Sequence, residues 1–598
     1  MSAKNNNHNL LFELKQLLEY VNQKRKRQLL FLLLIMIFSS LSEVVSLGSV
    51  LPFLGALGNA DKLLENKYLL PWFEIFSIQT PSQLISVLAA VFIFAVITAN
   101  ALRILTINIQ THLAASISSD LSCQLYKKTI LQPYSFHVSH NSSQLVNVVT
   151  VDSRALTTVL VALLSIVTNS FVIVALIIGL CLIDARIALA AAVLLGGAYI
   201  TIYRVRRKLL AYNSQTLVQC SQQQIKTVQE SLGGIRDVLL GDIHSHYQST
   251  YQQADTKFRH AAASNKVIGL TPRYVIECIA MTAIGLFALL LSRDGDFSST
   301  LPVLGSLALG ANRLLPALQH SFSALASIQG SRESLRRVIQ GLERSVETFS
   351  RKDSFFNLEF EEGIHLKNIW FRYGTEKEDW ILRDLNLYIP ARSTVGFIGS
   401  TGSGKSTTID LILGLLQPQK GSILIDDKPL TDKNLRQWQK NVAHVPQSIF
   451  LSDATIAENI AFGIRKDSID FERVHMAAQL AKIDEFIREL PAKYETYVGE
   501  RGVRLSGGQR QRIGIARALY QQASVIVFDE ATSALDNEME KEVMEAINGL
   551  SHKYTVIMIA HRLTTVSACD CVFSLEKGRI VAQGKLQNLL DEASVSKT

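Results

Sequence analysis

The sequence predicts a multi-domain membrane protein: an all-α transmembrane bundle of about six spans, followed by an α/β domain built around a phosphate loop. Three observations carry this reading. First, Gly399-Ser400-Thr401-Gly402-Ser403-Gly404-Lys405-Ser406 fits G-x-x-x-x-G-K-[ST]. Second, apolar stretches long enough to cross a bilayer recur before Ser350 and not after it. Third, only 19% of the 598 residues are charged, below the ~25% usual for soluble domains, and the mean hydropathy is +0.19.

The phosphate loop sits where such a loop works. Ser393–Ile398 before it reads as a buried strand, and Thr407–Leu416 after it is apolar at helical spacing. A strand, a glycine turn and a helix N-terminus make an anion site, because the glycines let backbone N–H groups close on phosphate and the helix dipole adds partial positive charge. Lys405 is expected to reach the β- and γ-phosphates and Ser406 to ligate Mg²⁺, with Gly399 through Thr407 forming the cradle. An incidental glycine turn is the alternative, and the flanking strand and helix argue against it.

Downstream, Leu505-Ser506-Gly507-Gly508-Gln509 precedes Arg510-Gln511-Arg512 and an apolar strand, Val525–Phe528, that ends in Asp529-Glu530. With these residues the chain resembles the ATP-binding-cassette (ABC) family. The resemblance covers Leu358 to Leu590 with every motif in the family's order. It identifies Tyr373 with the aromatic that stacks on adenine and Gln447 with the glutamine that touches Mg²⁺ and senses the membrane domain. Thr496–Gly502 is similar to a short exporter loop, Ser533-Ala534-Leu535-Asp536 to the loop crossing a dimer interface, and His561 to the switch histidine. No departure from the family pattern is seen at these positions.

The resemblance implies an ATPase with ATP and Mg²⁺ as cofactors. Phosphoryl transfer to water needs positioning and charge neutralisation. Asp529 is then expected to hold Mg²⁺, directly or through water, together with Ser406 and Gln447. Glu530 is expected to orient or deprotonate the attacking water, and His561 to hydrogen-bond the γ-phosphate region. Ser506, Gly507, Gly508 and Gln509 precede an amphipathic helix, Gln509–Tyr520, and their N–H groups also suit an anion. In the family's geometry they close over ATP held by a second copy, which implies a homodimer.

In the N-terminal half, spans are expected near Leu29–Leu54, Leu84–Ile107, Val159–Leu182, Ile187–Tyr203, Tyr274–Leu291 and Leu301–Leu318. Lys24-Arg25-Lys26-Arg27 before the first span is a cytoplasmic flag, and no signal-peptide cleavage site follows. Leu10–Val21 is amphipathic and is expected on the inner membrane surface. Lys127, Lys128 and Arg154, and then Arg204, Arg206, Arg207, Lys208, Arg236 and Lys257, place the two long connections in the cytoplasm. The short connections are Asp184-Ala185-Arg186 and Arg293-Asp294-Gly295-Asp296. Both termini are then cytoplasmic, in a multi-pass protein of the bacterial plasma membrane. Gln132–Gln144 and Gly233–His244 are candidates for the helices that touch the cassette. The expected domains are an N-terminal segment over 1–28, a transmembrane domain over 29–323, a linker over 324–356 and the nucleotide-binding domain over 357–592.

Charges within spans point to a cargo path. Glu43, Arg103, Glu277 and Arg313 stand in or near apolar runs; two arginines facing a cavity suit an anionic head group, and carboxylate–arginine packing pairs are the other reading. Leu69-Leu70-Pro71-Trp72-Phe73, within Asp61–Thr80, reads as an interfacial segment of the outer loop. With Glu43–Gly48 it resembles the exporter branch that flips lipid-linked oligosaccharides or serves polysaccharide export. A peptide, lipid or drug exporter is the alternative. The net charge of +8 follows membrane topology, so nucleic acid is not expected as a partner. The 6 cysteines show neither pairing nor metal spacing and read as ordinary thiols.

Overall fold

The computed structural model describes residues 10–50, 52–53, 56–57, 80–292, 297–345, 360–373, 379–529, 541, 544–545, 549, 553–560 and 562–595. Within helices, the side chains at 47, 180, 182–192, 194, 280, 283–284, 286–292, 297–313 and 591–595 are not among those described. The chain divides into two compact units, Met1–Gln132 with His140–Val346, and Pro133–Ser139 with Glu347–Thr598.

The first unit is helical. Its main helices are α1 (Leu10–Glu19), α2 (Gln23–Gly48), α3 (Pro81–Ile130), α4 (Ser153–Gly233), α5 (His244–Ser292), α6 (Phe297–Gly330) and α7 (Arg332–Glu343). Thr80 starts α3 with a reciprocal capping box to Gln83, and Pro81 occupies the first turn, where its missing N–H costs nothing. At 1.5 Å per residue α3 is about 75 Å long, more than twice the ~30 Å hydrocarbon layer, so most of it must run outside the bilayer. Among the described residues, Gln23–Ser46, Pro81–Ile130 and Ser142–Gly179 are long and apolar enough to cross a membrane. The expected spans Tyr274–Leu291 and Leu301–Leu318 fall on α5 and α6. Short helices, Tyr134–Ser139 and Ile235–Leu240, fall within the two stretches expected to touch the cassette. The break expected at Asp184-Ala185-Arg186 is not seen: helix continues through these residues within α4. The interfacial segment expected within Asp61–Thr80 lies outside the described residues, except for Thr80.

The apolar stripe of α1 meets protein rather than lipid, which corrects the membrane-surface expectation. Leu14, Leu17 and Val21 are buried in one cluster with Ile117, Leu121 and Leu125 of α3, and with Leu335, Val338 and Leu342 of α7. Glu13, buried on the same side, takes a bidentate pair from Arg332 of α7 at 2.9 and 3.0 Å. A Cβ on Gly341 would run into Leu125, so α7 and α3 approach closely there.

Deeper in the unit, Pro272 interrupts the ladder of α5. Gln319 and Ser323 of α6 both donate to the Gly269 carbonyl, at 2.7 and 2.9 Å, and the Tyr199 hydroxyl of α4 donates to Gln319 Oε1 at 3.1 Å. Three helices therefore share one polar knot beside Pro272.

The second unit holds two sheets. Its strands are β1 (Gly363–Phe371), β2 (Leu382–Pro390), β3 (Thr394–Ile398), β4 (Lys420–Ile425), β5 (Lys428–Pro429), β6 (Val442–Val445), β7 (Val525–Asp529), β8 (Thr555–Ile559), β9 (Cys571–Glu576) and β10 (Arg579–Gly584). One sheet is antiparallel in the order β2-β1-β4-β5, and the other runs β10-β9-β3-β8-β7-β6. In the second, the strands from β9 to β6 are parallel to their neighbours, and β10 is antiparallel to β9. Helix α8 (Lys405–Ile412) follows β3, and α9 (Gly507–Tyr520) precedes β7.

Side chains alternate across the parallel sheet, as strand geometry requires. Val525, Val527, Ile557 and Ile559 share a core with Ile409 and Leu411 of α8. Ile526, Phe528, Val556 and Met558 share the other with Ile513 and Ile515 of α9. The two helices thus cover opposite faces of the sheet.

Candidate functional site

The phosphate loop takes the expected strand–turn–helix form. Gly402 and Gly404 sit at φ +82° and +105°, a region closed to most side chains. Lys405, buried, lays its ammonium over the loop and donates to the Gly399 carbonyl at 2.8 Å and the Ser400 carbonyl at 3.0 Å. The buried Ser403 hydroxyl has no hydrogen-bond partner among the described residues, and a Cβ on Gly402 would meet open space. An unpaired donor, an open approach and a helix N-terminus fit a phosphate. Ser406 is exposed and Thr407 is buried at the start of α8.

Around the loop, Tyr373 lies with its hydroxyl 3.5 Å from Thr407 Oγ1 and its ring edge-on to Phe371 at 5.0 Å. It is about half exposed. Asp529 ends β7, two strands from β3. It acts on Asp410 of α8, whose carboxyl is pushed up to about 6 by burial first and by the Asp529 charge second. Tyr134, in the short helix Tyr134–Ser139 that belongs to this unit, has its phenol raised by burial, then by Asp410 and Tyr373. Asp410 escaped the sequence reading; its signal is a carboxylate inside the apolar run Thr407–Leu416.

The signature segment is built separately. Ser506 caps α9: its hydroxyl accepts from the Gln509 N–H at 3.2 Å, while Gln509 Oε1 accepts from the Ser506 N–H at 2.8 Å. Ser506 is exposed, Gly508 is buried, and Gly507 and Gln509 lie between. Gln447 is exposed beyond β6. Arg517, another residue not singled out from sequence, donates to the carbonyls of Asn459 and Phe450 at 2.9 and 3.0 Å and stacks on Phe462 at 4.5 Å. It fastens α9 to the segment that follows Gln447. Burial pulls its guanidinium down to about 10, still cationic at neutral pH. Glu530, His561 and the stretch Ser533–Asp536 lie outside the described residues.

In the helical unit, Arg103 of α3 donates to Glu43 of α2 at 3.2 Å, and Glu277 faces Arg273 at 4.0 Å, one turn away on α5. Arg313 is on α6, and its side chain is not described. No cluster of three or more His, Cys, Asp or Glu suited to a metal occurs among the described residues.

Residues 382–533 match the ABC transporter family, and residues 28–298 match the ABC transporter transmembrane region. An ATP-dependent lipid A-core flippase of Ralstonia nicotianae is 28% identical over 476 residues, which is 79% of this chain and 80% of that protein. An uncharacterized ABC transporter ATP-binding protein of Sinorhizobium fredii is 30% identical over 485 residues, again 79% of this chain and 80% of the relative. The solved structure of a bacterial Atm1-family ABC exporter with ATP bound shares the fold, with a TM-score of 0.77 at 22% identity over 95% of this chain and 96% of that one. An ATP-binding domain and a membrane-spanning region on one polypeptide, both matched in this order, make the chain a member of the ABC transporter family, an exporter whose ATPase domain couples hydrolysis to transport.

Proposed function

We propose that the protein works as a homodimer in the bacterial plasma membrane and flips or exports an anionic lipid-linked oligosaccharide or polysaccharide precursor. The observation that carries the dimer is the placement of α8 and α9 on opposite faces of the parallel sheet. A phosphate loop and a signature segment that flank one sheet in this way each leave half of an anion site open. Two copies in head-to-tail contact would complete both halves, with ATP at each seam. Binding energy at the seam then shifts the membrane helices between two states, and hydrolysis resets them.

Within this reading, Gly399 through Thr407 cradle the phosphates, Lys405 neutralises them, and Tyr373 stacks on the base. Ser506, Gly507, Gly508 and Gln509 of the second copy close the site. Mg²⁺ fits the donor set of Ser406, Gln447 and Asp529, which offers hydroxyl, amide and carboxylate oxygens to a hard cation. The Asp410–Asp529 repulsion supports the fit, since a divalent cation would relieve it. When bound, the ion would neutralise charge on the phosphates. Glu530 orients or deprotonates the attacking water, and His561 hydrogen-bonds the γ-phosphate region.

For the cargo, support comes from the flippase relatives and from the charges on the spans. Arg103 is partly exposed and gives Glu43 one N–H at 3.2 Å, so its guanidinium has further donors to offer an anionic head group, and Arg313 is the second candidate. Both termini lie in the cytoplasm in this reading, following the basic connections. Glu530→Gln is expected to retain ATP binding, to lower turnover at least ~100-fold, and to trap a closed dimer; near-normal steady-state ATPase would remove Glu530 from its role. In proteoliposomes, Arg103→Ala and Arg313→Ala should reduce flipping of lipid-linked oligosaccharide more than basal ATPase. Normal flipping by both variants would exclude the proposed cargo path.

A further inference from the structure

Outside the ATP site, a cavity of about 550 Å³ lies between α4 and α5. That is within the ~300–1,000 Å³ range of ligand pockets. Its walls are largely apolar: Ile202 and Val205 on α4, Val267, Ile268 and Val275 on α5. Pro272 is itself part of the wall. Next to it, the knot of Gln319, Gly269 and Tyr199 ties α5 to α6 and α4. Beside the lining residue Ser264, Asn213 donates to Ser264 and Asn265 at 3.1 and 2.8 Å.

One charged residue lines the groove, Arg206, and it is exposed. Among the described residues no carboxylate pairs with it. It stands in the run Arg204-Val205-Arg206-Arg207-Lys208, immediately after the apolar stretch Ile187–Tyr203. Nearby, Arg259 and Arg273 of α5 pair with Asp255 and Glu277, whereas among the described residues no carboxylate pairs with Arg204, Arg207 or Lys208 of α4. An apolar slot that continues along a stretch expected to span the membrane, with Arg206 on its wall, is complementary to an amphiphile with a negative head.

We propose that this groove holds one anionic phospholipid of the surrounding bilayer, its acyl chain against Val205, Val267 and Val275 and its phosphate on Arg206. With the basic connections in the cytoplasm, the lipid belongs to the inner leaflet. The site involves neither Arg103 nor Glu43, and the inference does not depend on what the transporter carries. Binding there would brace α5 against α4 around Pro272.

The test uses the full-length protein, purified and offered equal amounts of phosphatidylglycerol and phosphatidylcholine with the same acyl chains, read by native mass spectrometry. A phosphatidylglycerol with a photoactivatable acyl chain maps the contact. Phosphatidylglycerol should be retained in preference and should cross-link to the segments 201–209 and 264–275. Arg206→Gln should weaken its retention about fivefold, the effect of one basic group at a lipid surface, and Arg206→Lys should restore most of it. Val267→Trp should fill the slot and abolish the cross-link. Equal retention of the two lipids by the wild type overturns the proposal, as does a cross-link that survives both Arg206→Gln and Val267→Trp. If Val267→Trp splits the dimer while lipid retention is unchanged, the groove belongs to a second copy and the lipid assignment is wrong.

Discussion

The two units carry their chemistry in different ways. In the cassette, functional residues come in contiguous runs, because a phosphate must be met by several consecutive N–H groups and a turn that only glycine permits. In the helical unit, the residues that fix the architecture are single polar side chains spread over long apolar helices. Gln319, Glu13 and Asp152 each meet partners far away in sequence. A helical span needs only composition to enter a membrane, so its sequence is free of fixed spacing. The difference predicts where substitutions should act: on turnover in the cassette, on packing in the helices.

The strongest way to break that contrast lies in the phosphate loop. Lys405→Ala should lower ATPase activity at least ~100-fold, since in the proposed site this buried lysine neutralises the phosphates. Its fold should survive, because the loop conformation is set by the glycines. A variant that unfolds, or one that hydrolyses ATP at the wild-type rate, would dissolve the distinction between chemistry and packing at this site. Thermal melting alongside an ATPase assay separates the two.

Next in size is Arg517→Leu. The substitution leaves the Asn459 and Phe450 carbonyls without their charged donor, at a cost of about 2–4 kcal/mol. The melting temperature of the protein should fall, and activity should fall with it because α9 carries Ser506. Arg517→Lys should recover only part of the loss, since an ammonium cannot reproduce the planar fork. Here the cassette behaves like the helical unit: an isolated residue, absent from the motif reading, governs architecture.

These cases show what the sequence made legible. The loop from Gly399 to Ser406, the strand ending at Asp529 and the amphipathic helix after Ser506 were readable because local rules suffice for a turn, a buried strand and a periodic helix. Asp410 and Arg517 were not, because their significance arises only when the sheet brings α8 near β7 and α9 near the segment after Gln447. The same holds for the membrane side. The stripe Leu14, Leu17, Val21 was visible as amphipathic, but periodicity does not say whether lipid or protein covers it; α7 and α3 do. Arg103 and Glu43 were visible as charges in apolar runs, and their pairing required the neighbouring helix.

A smaller effect tests the polar knot. Gln319→Leu removes a donor from the Gly269 carbonyl and the acceptor of the Tyr199 hydroxyl. Interhelical hydrogen bonds in membranes average about 0.6 kcal/mol each with a ceiling near ~1.7, and Ser323 still donates to Gly269. The expected loss is therefore about 1–2 kcal/mol, read as earlier unfolding in a denaturant titration of the protein in micelles, with ATP affinity unchanged. A loss of ATP affinity equal to that of Lys405→Ala would mean that the helical unit also carries chemistry.

The smallest expected effect compares one thiol from each unit. Cys123 lies exposed on α3, while Cys569 is buried in the cassette. Burial first, then Asp570 and Cys571, push the Cys569 thiol up to about 12. The thiolate is the nucleophile, and with so high a pKa only ~1 in 10⁵ molecules carries it at about pH 7. A water-soluble maleimide should therefore label Cys123 in the folded protein and leave Cys569 untouched, and raising the pH to about 9 should not change that order. Adding denaturant should bring the two to similar rates, because burial is the leading cause of the shift. Cys569 also packs where a Cβ on Gly396 would come within 3.2 Å of its sulfur, directly behind the strand that leads into the phosphate loop. Modification there would need β3 to move. Rapid labelling of Cys569 in the folded state would thus mean that the cassette core opens readily, and that the unit written in contiguous motifs is the looser of the two.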